Sequence, residues 1–407
     1  MPTQSSQTSP TRALQRHASF EQLKKQAKAL YKSLASSTEA VERVALFFDK
    51  PEQASLQQVQ LVVAREYGFD SWTKLKEQVP IAAVLAEASE KKLADSILKT
   101  HSPEAIEQLL KKAVQETLGW RSLAVFRFEL SVGAAFGLSN DKGERCLLKV
   151  LSPDDFGAEI RRDFQSWLGQ QGFPCPKVLV PSFYIDGLPI VIEEYVDEGR
   201  RADGHLSENR NLIAGKLSQL IKLSRSYPRM REMPTDTLVE VAGSVWPKPH
   251  NVYFDFDATT MGAEWIDAAG ARSKPVLDAM AEGGIIAHLD WSPKHFLIKD
   301  GEVSVIYDWD SVARVPETRA VGAAAAAHVY SEYINKSNRP TLEQVELFLS
   351  DYERHRGSAF SGCDLKEVWA SLVYGAAYGA RCEHAIDHAN PGNDARMFLR
   401  TLVDAGY

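Results

Sequence analysis

The stretch that most restricts what this chain can fold into runs from His288 to Asp310. It reads His288-Leu289-Asp290-Trp291-Ser292-Pro293-Lys294-His295, then Phe296-Leu297-Ile298, Lys299-Asp300-Gly301-Glu302, Val303-Ser304-Val305-Ile306-Tyr307 and Asp308-Trp309-Asp310. An Asp-Gly pair between two β-rich runs signals a tight hairpin. Folding back over that turn carries Asp308 toward the loop that holds Asp290, although eighteen positions separate them. The same residues allow a plain surface hairpin with an ordinary aspartate at each end. The ordered set, however, suits metal-dependent phosphoryl transfer. One carboxylate orients a substrate hydroxyl, a second holds a divalent ion against nucleotide phosphates, and a neutral side chain completes the metal shell. Asp290, Asp308 and His295 can be read in those three roles. Trp309, between two acids, reads as a packing residue, and Asp310 either backs the metal or caps the following helix.

Such chemistry needs a grip on the nucleotide, and the upstream sequence offers one in order. Phe126-Arg127-Phe128-Glu129-Leu130 alternates like a strand, Ser131 to Leu138 is rich in small residues including Gly133 and Gly137, and Cys146-Leu147-Leu148-Lys149-Val150 is a second strand. Small residues let backbone amides approach phosphate oxygens, which assigns Ser131 and Gly133 to the nucleotide. A lysine inside an apolar strand is costly without a partner, so Lys149 either pairs with phosphates and an acid or snorkels from a strand edge. Apolar Phe156, Ile160, Phe164 and Trp167 at helical spacing predict a helix over 155–168, and Glu159 or Asp163 on its flank is the expected acid for Lys149. Leu188 to Val196 reads as a further strand.

Taken together, these residues resemble the aminoglycoside phosphotransferase and choline kinase-like group, whose pattern is His-Gly-Asp, four residues, Asn, and later Ile-Asp-Trp-Asp/Glu. His288, Asp290, Asp308, Trp309 and Asp310 fall on pattern positions, whereas Leu289 replaces the Gly and His295 replaces the metal-binding Asn. The resemblance implies a bilobal α+β kinase-like fold from about residue 105 to the C-terminus, with ATP as phosphoryl donor and Mg²⁺ as its ion. It also implies a hinge at Glu194 and Val196 whose main-chain groups hydrogen-bond adenine. His295 either joins the metal shell, where nitrogen suits Mn²⁺ better than Mg²⁺, or serves the substrate.

Before the small lobe (105–196) and the larger lobe (197–407) the sequence predicts a helical module over 18–80 and a helical linker over 81–104. Leu23, Ala27, Leu30 and Leu34 mark one amphipathic helix; Leu56, Val59, Val62 and Tyr67 mark another that stops at Gly68. Phe69, Trp72 and Leu75 are spaced as a packing face. Residues 1–17, rich in Ser, Thr, Gln and Pro, read as disordered.

A net charge of -7 argues against a nucleic-acid partner, which needs a concentrated basic surface. No apolar run approaches a membrane span. The Ala-rich stretch 321–330 reads instead as a buried helix. Four cysteines without a CxxC pair fit a reducing cytoplasm. Trp246 to Asp257 either lines an acceptor pocket or is irregular packing, and Glu383, His384, Asp387 and His388 near the C-terminus either contact substrate, hold a metal or form a plain polar surface. The expected activity is transfer of the γ-phosphoryl of ATP to a hydroxyl of a small molecule. Transfer of AMP, or a pseudokinase that binds nucleotide or acts as a scaffold, are the alternatives; acceptor and oligomeric state are not encoded in any motif.

Overall fold

Helical periodicity builds the first part of the chain. In the computed structural model, which describes residues 11–12, 14, 18, 20–152, 157–236, 244–280, 284–331, 333–334, 336–387 and 394–407, the expected stripe of Leu23, Ala27 and Leu30 is buried on α1 (Phe20–Ser33), and Leu34 is buried just past its end. Helix α2 (Thr38–Ala45) is a short addition, started by the Ser37 side chain accepting from the Ala40 amide. Helix α3 (Leu56–Glu66) opens with a Ser55/Gln58 capping box and ends before Gly68, whose φ of 86° only glycine adopts without cost. On α4 (Trp72–Val84), Leu75 is fully buried while Phe69 and Trp72 pack partly buried beside it. These three residues therefore form the packing face that their spacing predicted. The helical run that follows is two elements, α5 (Ala88–Leu98) and α6 (Pro103–Leu118). Lys99 in the left-handed region stops the first, and Ser102 with Pro103 starts the second. Of residues 1–17, only Thr11, Arg12 and Leu14 are among those described.

A five-stranded sheet follows, with β1 (Ala124–Leu130), β2 (Ala134–Ser139), β3 (Arg145–Val150), β4 (Val178–Ile185) and β5 (Leu188–Glu194) in the order β1-β2-β3-β5-β4. The turn between β1 and β2 is only Ser131 to Gly133, shorter than the small-residue run suggested, because Gly137 lies inside β2. A Cβ on Gly133 would sit 2.5 Å from the Val150 carbonyl oxygen, so close backbone approach requires glycine there.

The remaining residues form the helical part: α7 (Ala158–Gln170), β6 (Arg200–Arg201), α8 (Ser207–Ser224), α9 (Glu264–Asp278), β7 (Ile285–His288), β8 (Phe296–Lys299), β9 (Glu302–Ile306), β10 (Val312–Val315), α10 (Glu317–Ala327), α11 (Leu342–Arg356), α12 (Gly362–Ile386) and α13 (Asp394–Asp404). The first residues of the helix expected from Asp155 lie outside the described residues. Phe164, Leu217, Trp291, Trp309, Phe348 and Leu372 share one core. The Ala-rich run becomes α10, whose small side chains let α12 approach closely: a Cβ on Gly322 would be 2.4 Å from the Val368 carbonyl. By its internal contacts the chain divides into two units, Met1–Asp154 with Ser182–Tyr195, and Asp155–Pro181 with Val196–Tyr407. The antiparallel sheet and the mostly helical second unit give the expected α+β class. No helix among the described residues is long and apolar enough to cross a membrane.

Candidate active site

The site begins with the hairpin. Lys299 pairs with Glu302, leaving Asp300 (φ 53°) and Gly301 (φ 79°) as a two-residue loop with both residues left-handed, the type I′ turn that Asp-Gly favours. Strand β9 then returns the chain to the loop that carries Asp290 and His295, where the Tyr307 amide donates to the His295 carbonyl at 3.0 Å. Asp308 follows in the left-handed region, with φ 71°. The outcome is convergence: ligand atoms of Asp290, His295 and Asp308 all lie within 4.8 Å of one another. His295 Nε2 is 3.0 Å from Asp290 Oδ2 and 3.7 Å from Asp308 Oδ2.

Asp290 is the best-held group of the three. The Ser292 hydroxyl donates to Oδ1 at 3.0 Å, while Lys294 Nζ (2.8 Å) and His295 Nε2 (3.0 Å) approach Oδ2. Desolvation by the surrounding protein opposes the charge, but the His295 imidazole and the Lys294 ammonium outweigh it. They hold the Asp290 carboxyl well below the usual carboxylate range. Burial likewise works against the Lys294 ammonium, yet Asp290 raises its pKa above the ordinary value. Asp290 is thus ionised at neutral pH, and Lys294 is engaged with it rather than reaching freely into solvent.

Three residues brace the loop from behind. His288 is buried, with Nε2 3.0 Å from the Tyr307 carbonyl and Nδ1 3.3 Å from the Ser311 hydroxyl. Burial and the neighbouring His295 lower its pKa to about 4, so it is neutral and ties β7 to the residue before Asp308. Trp309 is fully buried, donates from Nε1 to the Ile306 carbonyl at 2.7 Å and meets the Phe164 and Phe173 rings edge-on, which is the packing role its sequence position suggested. Asp310 caps no helix; it pairs with the buried Arg162 of α7, a guanidinium that also donates to Gln165 at 2.6 Å. Sequence reasoning missed Arg162, which lies on the side of α7 away from the apolar stripe and so gave no signal of burial.

In the first unit, Lys149 is buried in β3, and the acid beside it is Glu193 of β5, at 3.6 Å and fully buried. Glu159, the acid expected from the sequence, is exposed on the first turn of α7 in the second unit. Glu193 carried the same signal as Lys149, a charge inside an apolar strand, and went unassigned. Ser131 is exposed at the β1–β2 turn, its amide donating to the Gly133 carbonyl at 2.9 Å. Glu194 ends β5 opposite Cys146. Val196 does not present bare main-chain groups: its amide donates to the Tyr307 phenol oxygen at 3.0 Å, and its carbonyl accepts from the same hydroxyl.

The loop after Trp246 is a packing segment at its start. Trp246 packs edge-on or tilted against Phe256, Tyr374 and Tyr378 and donates from Nε1 to Asp267 at 2.7 Å. His250 pairs with the Tyr378 hydroxyl at 2.7 Å. The C-terminal polar group is structural in its described members. Glu383 accepts from the Ala395 and Arg396 amides that open α13, and His384 pairs with the Met261 carbonyl at 3.0 Å. His388 lies outside the described residues.

Neither a protein-family model nor a curated relative matches this sequence. Solved structures do resemble it. An amicoumacin kinase in complex with AMP-PNP, Ca²⁺ and Ami superposes with a TM-score of 0.55 at 13% identity, covering 73% of this chain and 92% of that one. A choline kinase from Streptococcus pneumoniae gives a TM-score of 0.47 at 14% identity over 74% of this chain and 99% of its own. At such identities the amicoumacin kinase likeness speaks for architecture alone: this chain has the kinase-like fold of that structure.

Proposed function

We propose that this protein is an ATP-dependent phosphotransferase that moves the γ-phosphoryl group onto a hydroxyl of a small molecule. The observation that carries the reading is the convergence of Asp290, His295 and Asp308 within 4.8 Å, with Asp290 kept ionised by its neighbours. Two carboxylate oxygens and one imidazole nitrogen on a common point are a donor set that fits a divalent cation. Asp308 and His295 would hold it, as Mg²⁺ or, through the imidazole, Mn²⁺. The ion supplies neutralisation of charge on the β- and γ-phosphate oxygens.

Every other role falls to the chain's own side chains. Asp290 accepts a hydrogen bond from the acceptor hydroxyl and aims its oxygen at phosphorus. Its depressed pKa makes it a weak base, which suits a loose transition state whose hydroxyl proton leaves late. Lys294 tempers the negative charge around Asp290. Lys149, ion-paired with Glu193, is assigned to the α- and β-phosphates, Ser131 and Gly133 to backbone contact with phosphate, and Glu194 and Val196 to the base. Glu159 lies exposed on the first turn of α7 and receives no role here. The acceptor is a small molecule, and we place the protein in the cytoplasm on its cysteine usage.

Isothermal titration with AMP-PNP, with and without Mg²⁺ or Mn²⁺, tests this. Wild-type protein binds in a metal-dependent manner. Asp308→Ala loses the metal dependence, whereas Asp290→Ala keeps binding and loses γ-phosphate transfer in an acceptor screen. His295→Asn, which restores an oxygen donor, moves preference from Mn²⁺ toward Mg²⁺. Absence of nucleotide binding under every metal condition refutes the reading.

A further inference from the structure

One contact near the catalytic hairpin has no place in the roles assigned so far. The Tyr307 phenol lies on Val196, taking a hydrogen bond from its amide at 3.0 Å and giving one to its carbonyl. A hydroxyl offers one donor and two acceptor lone pairs, and here the donor and one lone pair engage the main chain of a single residue. The edge of an amino-substituted purine also offers a donor beside an acceptor. Tyr307 therefore makes the kind of paired contact that a nucleotide base makes with an extended backbone.

The phenol is also well anchored. The residue is half-buried, its amide is fixed to the His295 carbonyl at 3.0 Å, and its own carbonyl is held by buried His288 at 3.0 Å. The Arg201 guanidinium lies 5.9 Å from the ring centroid and donates to the Lys294 carbonyl at 2.6 Å. Fixing the backbone at both peptide groups leaves the side-chain torsions as the way for the phenol to leave Val196. The next residue is Asp308, one of the three converging metal-ligand candidates.

We propose that Tyr307 is an intramolecular competitor for the base: its hydroxyl occupies the Val196 hydrogen-bonding pair in the free protein, and a purine nucleotide binds by displacing it. This rests on the phosphotransferase reading, which assigns Val196 to the base. Two consequences are separable. Nucleotide affinity is weaker than the site would give with Val196 open, and the Val196 amide is protected from exchange before any nucleotide arrives.

The test compares wild type with Tyr307→Phe and Tyr307→Leu, using AMP-PNP with Mg²⁺ or Mn²⁺ in titration calorimetry and amide hydrogen exchange of the free proteins. Phe keeps the ring and its packing while removing the hydroxyl, so it isolates the hydrogen bonds; Leu removes the competitor altogether and guards against an effect peculiar to Phe. Removing the competing hydroxyl is expected to tighten AMP-PNP binding roughly tenfold in both variants, which corresponds to about 1.4 kcal/mol. Val196 exchange should speed up in the free variants and slow again when AMP-PNP is added. Unchanged or weaker binding in both variants, with Val196 exchange as slow as in wild type, overturns the competitor while leaving the phosphotransferase reading intact. Failure of wild type and both variants alike to bind AMP-PNP overturns the two together.

Discussion

Replacing His288 with Phe probes how the site is held rather than what it contains. The imidazole is 1% exposed, lies 5.7 Å from the Trp291 ring and 5.5 Å from the Trp309 ring, and makes hydrogen bonds of 3.0 Å to the Tyr307 carbonyl and 3.3 Å to the Ser311 hydroxyl. Phe preserves an aromatic plate between the two indoles but strands the Tyr307 carbonyl, a loss of about 1–3 kcal/mol for a buried acceptor. The Ser311 hydroxyl has the Asp308 carbonyl at 3.3 Å as a second partner, so its loss adds little. The larger ring adds overpacking of about 1 kcal/mol. The expected total is about 2–4 kcal/mol, against about 0.5 kcal/mol for Ser311→Ala. Urea unfolding followed by tryptophan fluorescence measures it, because six of the eight tryptophans, Trp167, Trp246, Trp265, Trp291, Trp309 and Trp369, belong to the second unit. Metal-dependent AMP-PNP affinity should fall as well, since the lost bond tethers the residue before Asp308. A His288→Phe protein within 0.5 kcal/mol of wild type would show that the brace carries no energy, and the account of how Asp308 is positioned would be wrong.

Two further outcomes test the packing of the second unit. Gly322→Ala should destabilise by about 1–2 kcal/mol, because the added methyl meets the Val368 carbonyl at 2.4 Å and Ser371 Cβ at 2.6 Å, and this strain exceeds the gain in helix propensity; Gly375→Ala, with open space on α12, should stabilise, and equal effects in urea titration would contradict the close α10–α12 contact. Burial lowers the pKa of His328 to about 4, against the hydrogen bond from Nδ1 to the Ala325 carbonyl and with Arg210, His205 and Asp351 as the titratable groups around it. The unfolded chain, titrating near the ordinary 6.5, takes up the proton more readily, so this contribution is whole above about pH 6.5 and is lost as pH falls toward 4. Between pH 7 and pH 5 the loss is about 2 kcal/mol, and His328→Phe should show a correspondingly smaller acid sensitivity of its urea midpoint.

Much of the site was legible in the sequence because its signals are local. Asp300-Gly301 specifies a two-residue turn through its own backbone preferences, so the return of Asp308 to Asp290 followed from residues within a few positions of the turn. The stripes of α1 and α3, the Gly68 stop and the lysine in β3 belong to the same kind of information. Where the reading departed from the structure, several residues of one chemical type competed for one partner. Lys149 had Glu159 and Asp163 as expected acids, yet the register of β3 against β5 set Glu193 beside it. Asp310 had metal or helix cap in prospect, and the packing of α7 supplied Arg162.

Side-chain pairing across long sequence separations depends on register, rotamer and burial together, and none of these is written in a local window. By itself the sequence determined the helices and strands, the hairpin and the two acids it unites. Only the tertiary structure decided that Asp290 is shared by Lys294 and His295, that His288 is neutral and structural, and that Tyr307 reaches Val196, because each of these depends on which distant groups packing leaves within hydrogen-bonding distance.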